Sequence, residues 1–231
     1  MTGELTNGIK WYLAFVCSTV THEAAHAWVA QRLGDDTAAR GGQATLDPTP
    51  HIRREPVGMV VVPVLSYLAG GWMIGWASAP FDPQWAVRFP RRAALMALAG
   101  PSANLFLAFV AAALLLAGRS AGFFLRSSTF TFSHLMDAGP QEISVFAGSL
   151  LSIFFSINLL LAAFNLFPLP PLDGAAASML VLPTGLARSW MQLASTPQLR
   201  LVGLLVAWNL FGSVFKPLFS TVVRFLFSQP Q

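Results

Sequence analysis

Two stretches of this chain, residues 93–117 and 143–167, contain no Asp, Glu, Lys or Arg. Each, as a helix rising about 1.5 Å per residue, can cross about 30 Å of hydrocarbon. The rest of the chain does not dilute them. Of 231 residues, 55% are hydrophobic and 10% are charged, where a soluble domain carries about 25% charged residues. Backbone polar groups in hydrocarbon must be satisfied within the chain, and a helix does this segment by segment. The sequence therefore predicts an all-α polytopic membrane protein: a helical bundle of about four spans plus a re-entrant or strand-like membrane segment, which becomes a fifth span if it crosses completely. The expected spans are 9–33, 93–117, 143–174 and 199–227. A loop and re-entrant segment occupy 41–90, and the whole is read as one membrane-embedded domain, 1–231.

Charge and cysteine usage narrow the function classes. The net charge is +4. In a membrane chain such an excess reads as basic loops on the cytoplasmic face, so nucleic acid is not expected as a partner. The single cysteine, Cys17, excludes an intrachain disulfide and a cysteine-based metal site. The first apolar stretch is longer than a signal-peptide core, and no small-residue cleavage site follows a short core, so 9–33 is read as a retained helix.

Inside that first segment stand His22, Glu23, Ala24, Ala25 and His26. On a helix this spacing puts two imidazoles at i and i+4, on one face and one turn apart. Both rings can then reach one zinc ion, and the glutamate between them can act as a base toward an activated water. Ionisable residues in a membrane segment are costly, which marks them as functional candidates. A catalytic zinc site commonly has three protein ligands, so a third is expected from elsewhere. Asp173 is the leading candidate, because it follows a proline-rich break at the end of a span. Pro-x-Asp-Gly is also ordinary turn chemistry. Asp137, Glu142 and His134 are the other polar options, in a loop read as exposed. His51 and His134 read as solvated loop residues.

The segment Val57–Ala77 is interrupted by Pro63 and by Gly70-Gly71, and admits two topologies. His22, His26 and Asp173 meet at one depth most easily if their two segments run parallel, which requires 57–77 to be re-entrant. Charge counting agrees. The re-entrant reading gathers nine of the fourteen basic residues on one face, the full-span reading eight. The more basic face is expected to be cytoplasmic, which places the metal site nearer the cytoplasm.

With both motifs in view, the sequence resembles the site-2 protease family of intramembrane zinc metalloproteases, most closely the compact prokaryotic members without PDZ or CBS domains. The resemblance covers most of residues 11–183. It rests on His22-Glu23-x-x-His26, Gly75-Trp76-Ala77, Ala99-Gly100-Pro101 with Asn104, and Asn165-x-x-Pro168-x-Pro170-x-Leu172-Asp173-Gly174. It implies His22, His26 and Asp173 as ligands of one Zn2+ per chain, and Glu23 as catalytic acid and base. It implies Asn165 as a substrate-binding residue, and offers Asn104 for the same role or for helix packing. It further implies a strand-like membrane loop within 41–90, a transmembrane protein as substrate, and a multi-pass location in a prokaryotic cell membrane. Two departures, Ser78-Ala79-Pro80 after Gly-Trp-Ala and Ala175-Ala176-Ala177 after Asp-Gly, bear on substrate choice. The alternatives are a non-catalytic metal-binding scaffold for transmembrane partners and a transporter. The first has no need of Glu23, and the second is disfavoured by the lack of internal repeats. Nothing in the sequence sets an oligomeric state.

Overall fold

The computed structural model describes residues 2–228; the outermost residues of the expected domain, 1 and 229–231, lie outside it. Helix α1 (Thr2–Leu33) contains no proline, and it ends at Gly34, whose φ of 102° only glycine adopts without strain. Two short helices follow, α2 (Thr37–Arg40) and α3 (Pro48–Arg54). The Asp47 side chain caps α3 by accepting from the Thr49 backbone amide at 2.8 Å. The bonds from Thr49 hold the Asp47 carboxyl below the usual carboxylate range.

Residues 57–82 correct one expectation and sharpen another. A π-helical turn, Val57–Val61, runs into α4 (Val62–Gly70). This half of the segment is therefore helical, not strand-like. At Gly71, φ 72°, the chain reverses and returns as irregular backbone. The Gly58 carbonyl accepts from Trp76 N at 3.1 Å, and Ser78 Oγ donates to Glu55 Oε1 at 2.6 Å, so the segment leaves and re-enters the same end of the molecule. Its far end reaches the start of α1, where the Tyr67 hydroxyl donates to the Glu4 carbonyl at 2.9 Å.

Next come α5 (Pro83–Arg88) and α6 (Pro90–Ser120), each with proline in its first turn, where a missing amide costs nothing. Residues 124–138, expected as loop, form an antiparallel hairpin of β1 (Phe124–Thr131) and β2 (His134–Ala138), with a register shift between Arg126 and Thr131. The class is thus mostly helical with a small sheet, not all-α. Phe, Thr and Leu on β1 suit a half-buried pleated surface. The hairpin is secured where Leu135 N donates to Ser152 Oγ of α7 at 3.0 Å. Helix α7 (Glu142–Asn165) is followed by an irregular stretch, then α8 (Asp173–Ala177), a 3-10 turn Ser178–Leu180, α9 (Thr184–Ala194) and α10 (Pro197–Phe227).

Among the described residues, three helices are long and apolar enough to cross a membrane, α6, α7 and α10. Helix α1, the fourth span expected, has the length but not the apolarity, since Lys10, His22, Glu23 and His26 interrupt it. The expected 143–174 span ends as a helix at Asn165. Helix α6 packs between α1 and α7. It runs antiparallel to α1: His26 meets Met96, and Ser18 meets Asn104. Helices α1 and α7 are parallel, joined by Lys10 Nζ donating to Ser149 Oγ at 2.8 Å and by Asn158 Nδ2 donating to Ser18 Oγ at 2.7 Å.

Candidate active site

His22 and His26 lie one turn apart on α1, and both are buried. Asp173 opens α8, just beyond the break that ends α7. The break is held tightly. A Cβ at Gly174 would collide with the carbonyl oxygens of Leu166 and Phe167, so only glycine lets the chain fold back this closely and deliver Asp173. The result brings three atoms together. Nε2 of His22 and Nε2 of His26 are 3.0 Å apart, and Asp173 Oδ2 lies 3.2 and 3.3 Å from them.

The partners of the other ring nitrogens say what these atoms carry. His26 Nδ1 lies 2.7 Å from the Met96 carbonyl oxygen, which can only accept. His22 Nδ1 lies 2.6 Å from Asn104 Oδ1. In both rings the proton of a neutral imidazole therefore sits on Nδ1, and Nε2 presents a lone pair. With both rings neutral, two nitrogen lone pairs and a carboxylate oxygen face one another. Asp173 Oδ2 is buried and has no hydrogen-bond partner, although both Nε2 atoms lie near it. Such a trio repels unless a cation sits at its focus. The three separations approach the roughly 3.3 to 3.5 Å edge of a tetrahedral zinc site with N and O ligands. The donor set, its burial and its spacing fit zinc.

Helix α6 contributes no ligand atom but touches the site at every rung. Met96 bonds His26, and Asn104 bonds His22. Gly100 lies between them, where a Cβ would collide with Nε2 of both histidines. Glu23 is buried beside the histidines on α1, and its carboxylate makes no hydrogen bond or ion pair among the described residues. A cavity of about 210 Å³ opens beside Asp173, walled by Phe81, Met96, Pro171, Leu172, Trp190 and Met191 among others.

Asn104 is fully buried, and its amide is spent on His22, Ser18 and Asn158, which leaves no face for substrate. Asn165 is half-buried in the last turn of α7, with Nδ2 donating to the Leu161 carbonyl at 3.0 Å. His134 and Asp137 pair with each other at 2.7 Å in the hairpin, and Glu142 starts α7 at the end remote from Asp173. His51 is fully buried rather than solvated, with Nε2 3.1 Å from the Thr45 carbonyl. Asn158 was not foreseen. The only signal for it is an amide in the middle of an otherwise apolar run.

Apolar helices around a buried two-histidine, one-carboxylate focus fit a membrane metalloprotease. The comparisons place the chain more narrowly. It is 31% identical to the Bacillus subtilis (strain 168) protein named "Putative zinc metalloprotease YwhC", over 89% of this chain and 92% of that one. It is 32% identical to the Mycobacterium tuberculosis H37Rv protein named "Putative zinc metalloprotease Rip2", over 71% of this chain and 53% of that one. The Mycolicibacterium smegmatis protein of the same name is 28% identical over the same shares. The chain thus spans about half the length of the Rip2 proteins. No family model matches the sequence. No solved structure matches it either. The chain belongs to the site-2 protease family of zinc metalloproteases.

Proposed function

We propose that this chain is an intramembrane zinc metalloprotease that hydrolyses a peptide bond in or near a transmembrane segment of a membrane protein. The observation that carries the reading is the convergence of His22 Nε2, His26 Nε2 and Asp173 Oδ2 within 3.3 Å, beside a buried, unpaired Glu23. His22, His26 and Asp173 hold one zinc ion per chain. That ion supplies Lewis acidity toward a carbonyl oxygen and lowers the pKa of water toward about 7. Glu23 takes the proton of the attacking water and returns it to the leaving amine. A carboxylate with no competing partner is free to do both.

A transmembrane substrate satisfies its own backbone and must unwind before its carbonyls are open to attack. The irregular return stretch after Gly71 offers backbone amides and carbonyls to pair with the unwound strand. The cavity beside Asp173 accepts an apolar side chain flanking the cleaved bond. Asn165, partly exposed at the end of α7, pairs with substrate backbone. The site-bearing end carries the arginine-rich loops and faces the cytoplasm of a prokaryotic cell.

The test is zinc stoichiometry of detergent-purified protein, followed by cleavage of co-expressed transmembrane substrates. One zinc per chain is expected in the parent and in Glu23→Gln, with loss in His22→Ala and Asp173→Ala. Cleavage is expected in the parent alone. A well-folded parent without zinc sinks the reading. Cleavage that survives Glu23→Gln removes Glu23 from its role.

A further inference from the structure

We propose that Asn158 is a positioning residue for the metal centre: acting through Asn104, it fixes the tautomer of His22 and so aims the Nε2 lone pair at the focus. The inference rests on the reading of His22 as a ligand.

The relay is anchored at an atom that has no choice. The Phe154 carbonyl oxygen can only accept, and the Asn158 side chain lies 2.8 Å from it. The amino group of Asn158 must therefore face Phe154, and its second hydrogen goes to Ser18 Oγ at 2.7 Å. That leaves Asn158 Oδ1 pointing at Asn104, 2.7 Å away. An acceptor there demands a donor, so Asn104 presents Nδ2. The same Nδ2 reaches a second obligate acceptor, the Ser18 carbonyl, at 3.2 Å. Asn104 Oδ1 is thereby turned toward His22, and at 2.6 Å only a protonated Nδ1 suits it.

Every donor and acceptor of the relay that matters is used, and Asn104, Asn158 and Ser18 are all fully buried. Buried amides in an apolar span are expensive unless satisfied, and a fully satisfied network has one low-energy arrangement. Without Asn158, the Ser18 carbonyl alone holds the Asn104 amide, by the longest bond of the set. If that amide turns over, its amino group meets His22, the ring proton moves to Nε2, and the ligand atom is blocked. His26 needs no such relay, because a backbone carbonyl holds it. The two histidines thus differ in what holds Nδ1: a side-chain amide for His22 and a backbone carbonyl for His26.

The experiment measures zinc affinity of the full chain in detergent by chelator competition, and thermal stability of the metal-free form in parallel. Loss of a group that orients a metal ligand typically weakens metal binding about 10- to 100-fold. Asn104→Leu is expected in that range, and Asn158→Leu at about 10-fold. The double variant is expected to be no weaker than Asn104→Leu, because both act on one ring. Asn158→Asp keeps an oxygen facing Asn104 and is expected to hold zinc near the parental affinity even if it melts earlier. That variant also serves if Asn158→Leu fails to fold. A purely structural role predicts the opposite pattern: stability falls in Asn158→Leu and Asn158→Asp alike, with zinc affinity unchanged in whichever folds, and that result overturns the proposal. So do multiplicative losses in the double variant. Zinc binding that survives His22→Ala overturns the ligand reading itself, and the positioning role with it.

Discussion

At the scale of single residues, the site is defined as much by an absence of atoms as by its ligands. Gly100 sits where a side chain would press on both imidazoles. In the middle of α6 an alanine is a better helix former than glycine by about 1 kcal/mol. Gly100→Ala should therefore leave helicity intact, or raise it slightly, while the added methyl displaces Nε2 of His22 and His26. The expected outcome is loss of zinc, at least 10-fold in affinity, with an unchanged circular dichroism spectrum. Normal zinc binding in that variant would show that the rings do not meet the metal as placed here. Gly174 has an equally firm reason, the crossing of the Leu166 and Phe167 carbonyls. Gly174→Ala should move Asp173 out of reach, and so should mimic Asp173→Ala in a zinc assay.

At the scale of elements, the helix and return stretch of residues 57–82 are closed by two glycines. A Cβ at Gly75 would strike the Gly58 carbonyl, Phe15 and Pro63, and one at Gly58 would strike Trp76. Gly75→Ala should cost about 1–3 kcal/mol through overpacking, read as a lower melting temperature and faster proteolytic cutting after Gly71. Zinc affinity should hold, since no ligand lies in this element. Much here was legible. Pro63 and Gly70-Gly71 announced the break, and the His-x-x-x-His spacing with an aspartate after a proline-rich stop marked three residues that converge. The helical first half of 57–82 and the hairpin at 124–138 were not. An apolar run with one proline suits a buried helix and a strand equally. The Phe-Leu-Arg-Ser-Ser-Thr-Phe-Thr stretch lacks the strict alternation of a half-buried strand, and its pairing register shifts between Arg126 and Thr131. Asn158 was hidden for another reason: its meaning lies in contacts with α1 and α6, which no local pattern encodes.

At the scale of the molecule, the three candidate ligands come from opposite ends of the chain. A metal held by His22, His26 and Asp173 joins α1 to the segment after α7 and favours only the folded state. Bound at 100 times its dissociation constant, it adds about 2.7 kcal/mol. Thermal unfolding in detergent should therefore move upward with zinc and downward with chelator, and His22→Ala should abolish both shifts. A melting temperature indifferent to zinc in the parent would deny the metal that place in the fold. Helix α6 gives this arrangement one more property. Its Met96, Gly100 and Asn104 meet His26, His22 and Ser18 of α1 rung against rung. One residue of sliding between the two helices, about 1.5 Å, parts Met96 from His26 and Asn104 from His22 in a single movement. The affinity of a metal held there would consequently act as a strain gauge for shear along α1 and α6, and a pull on either helix far from the site would be read as a change in how tightly that metal is held.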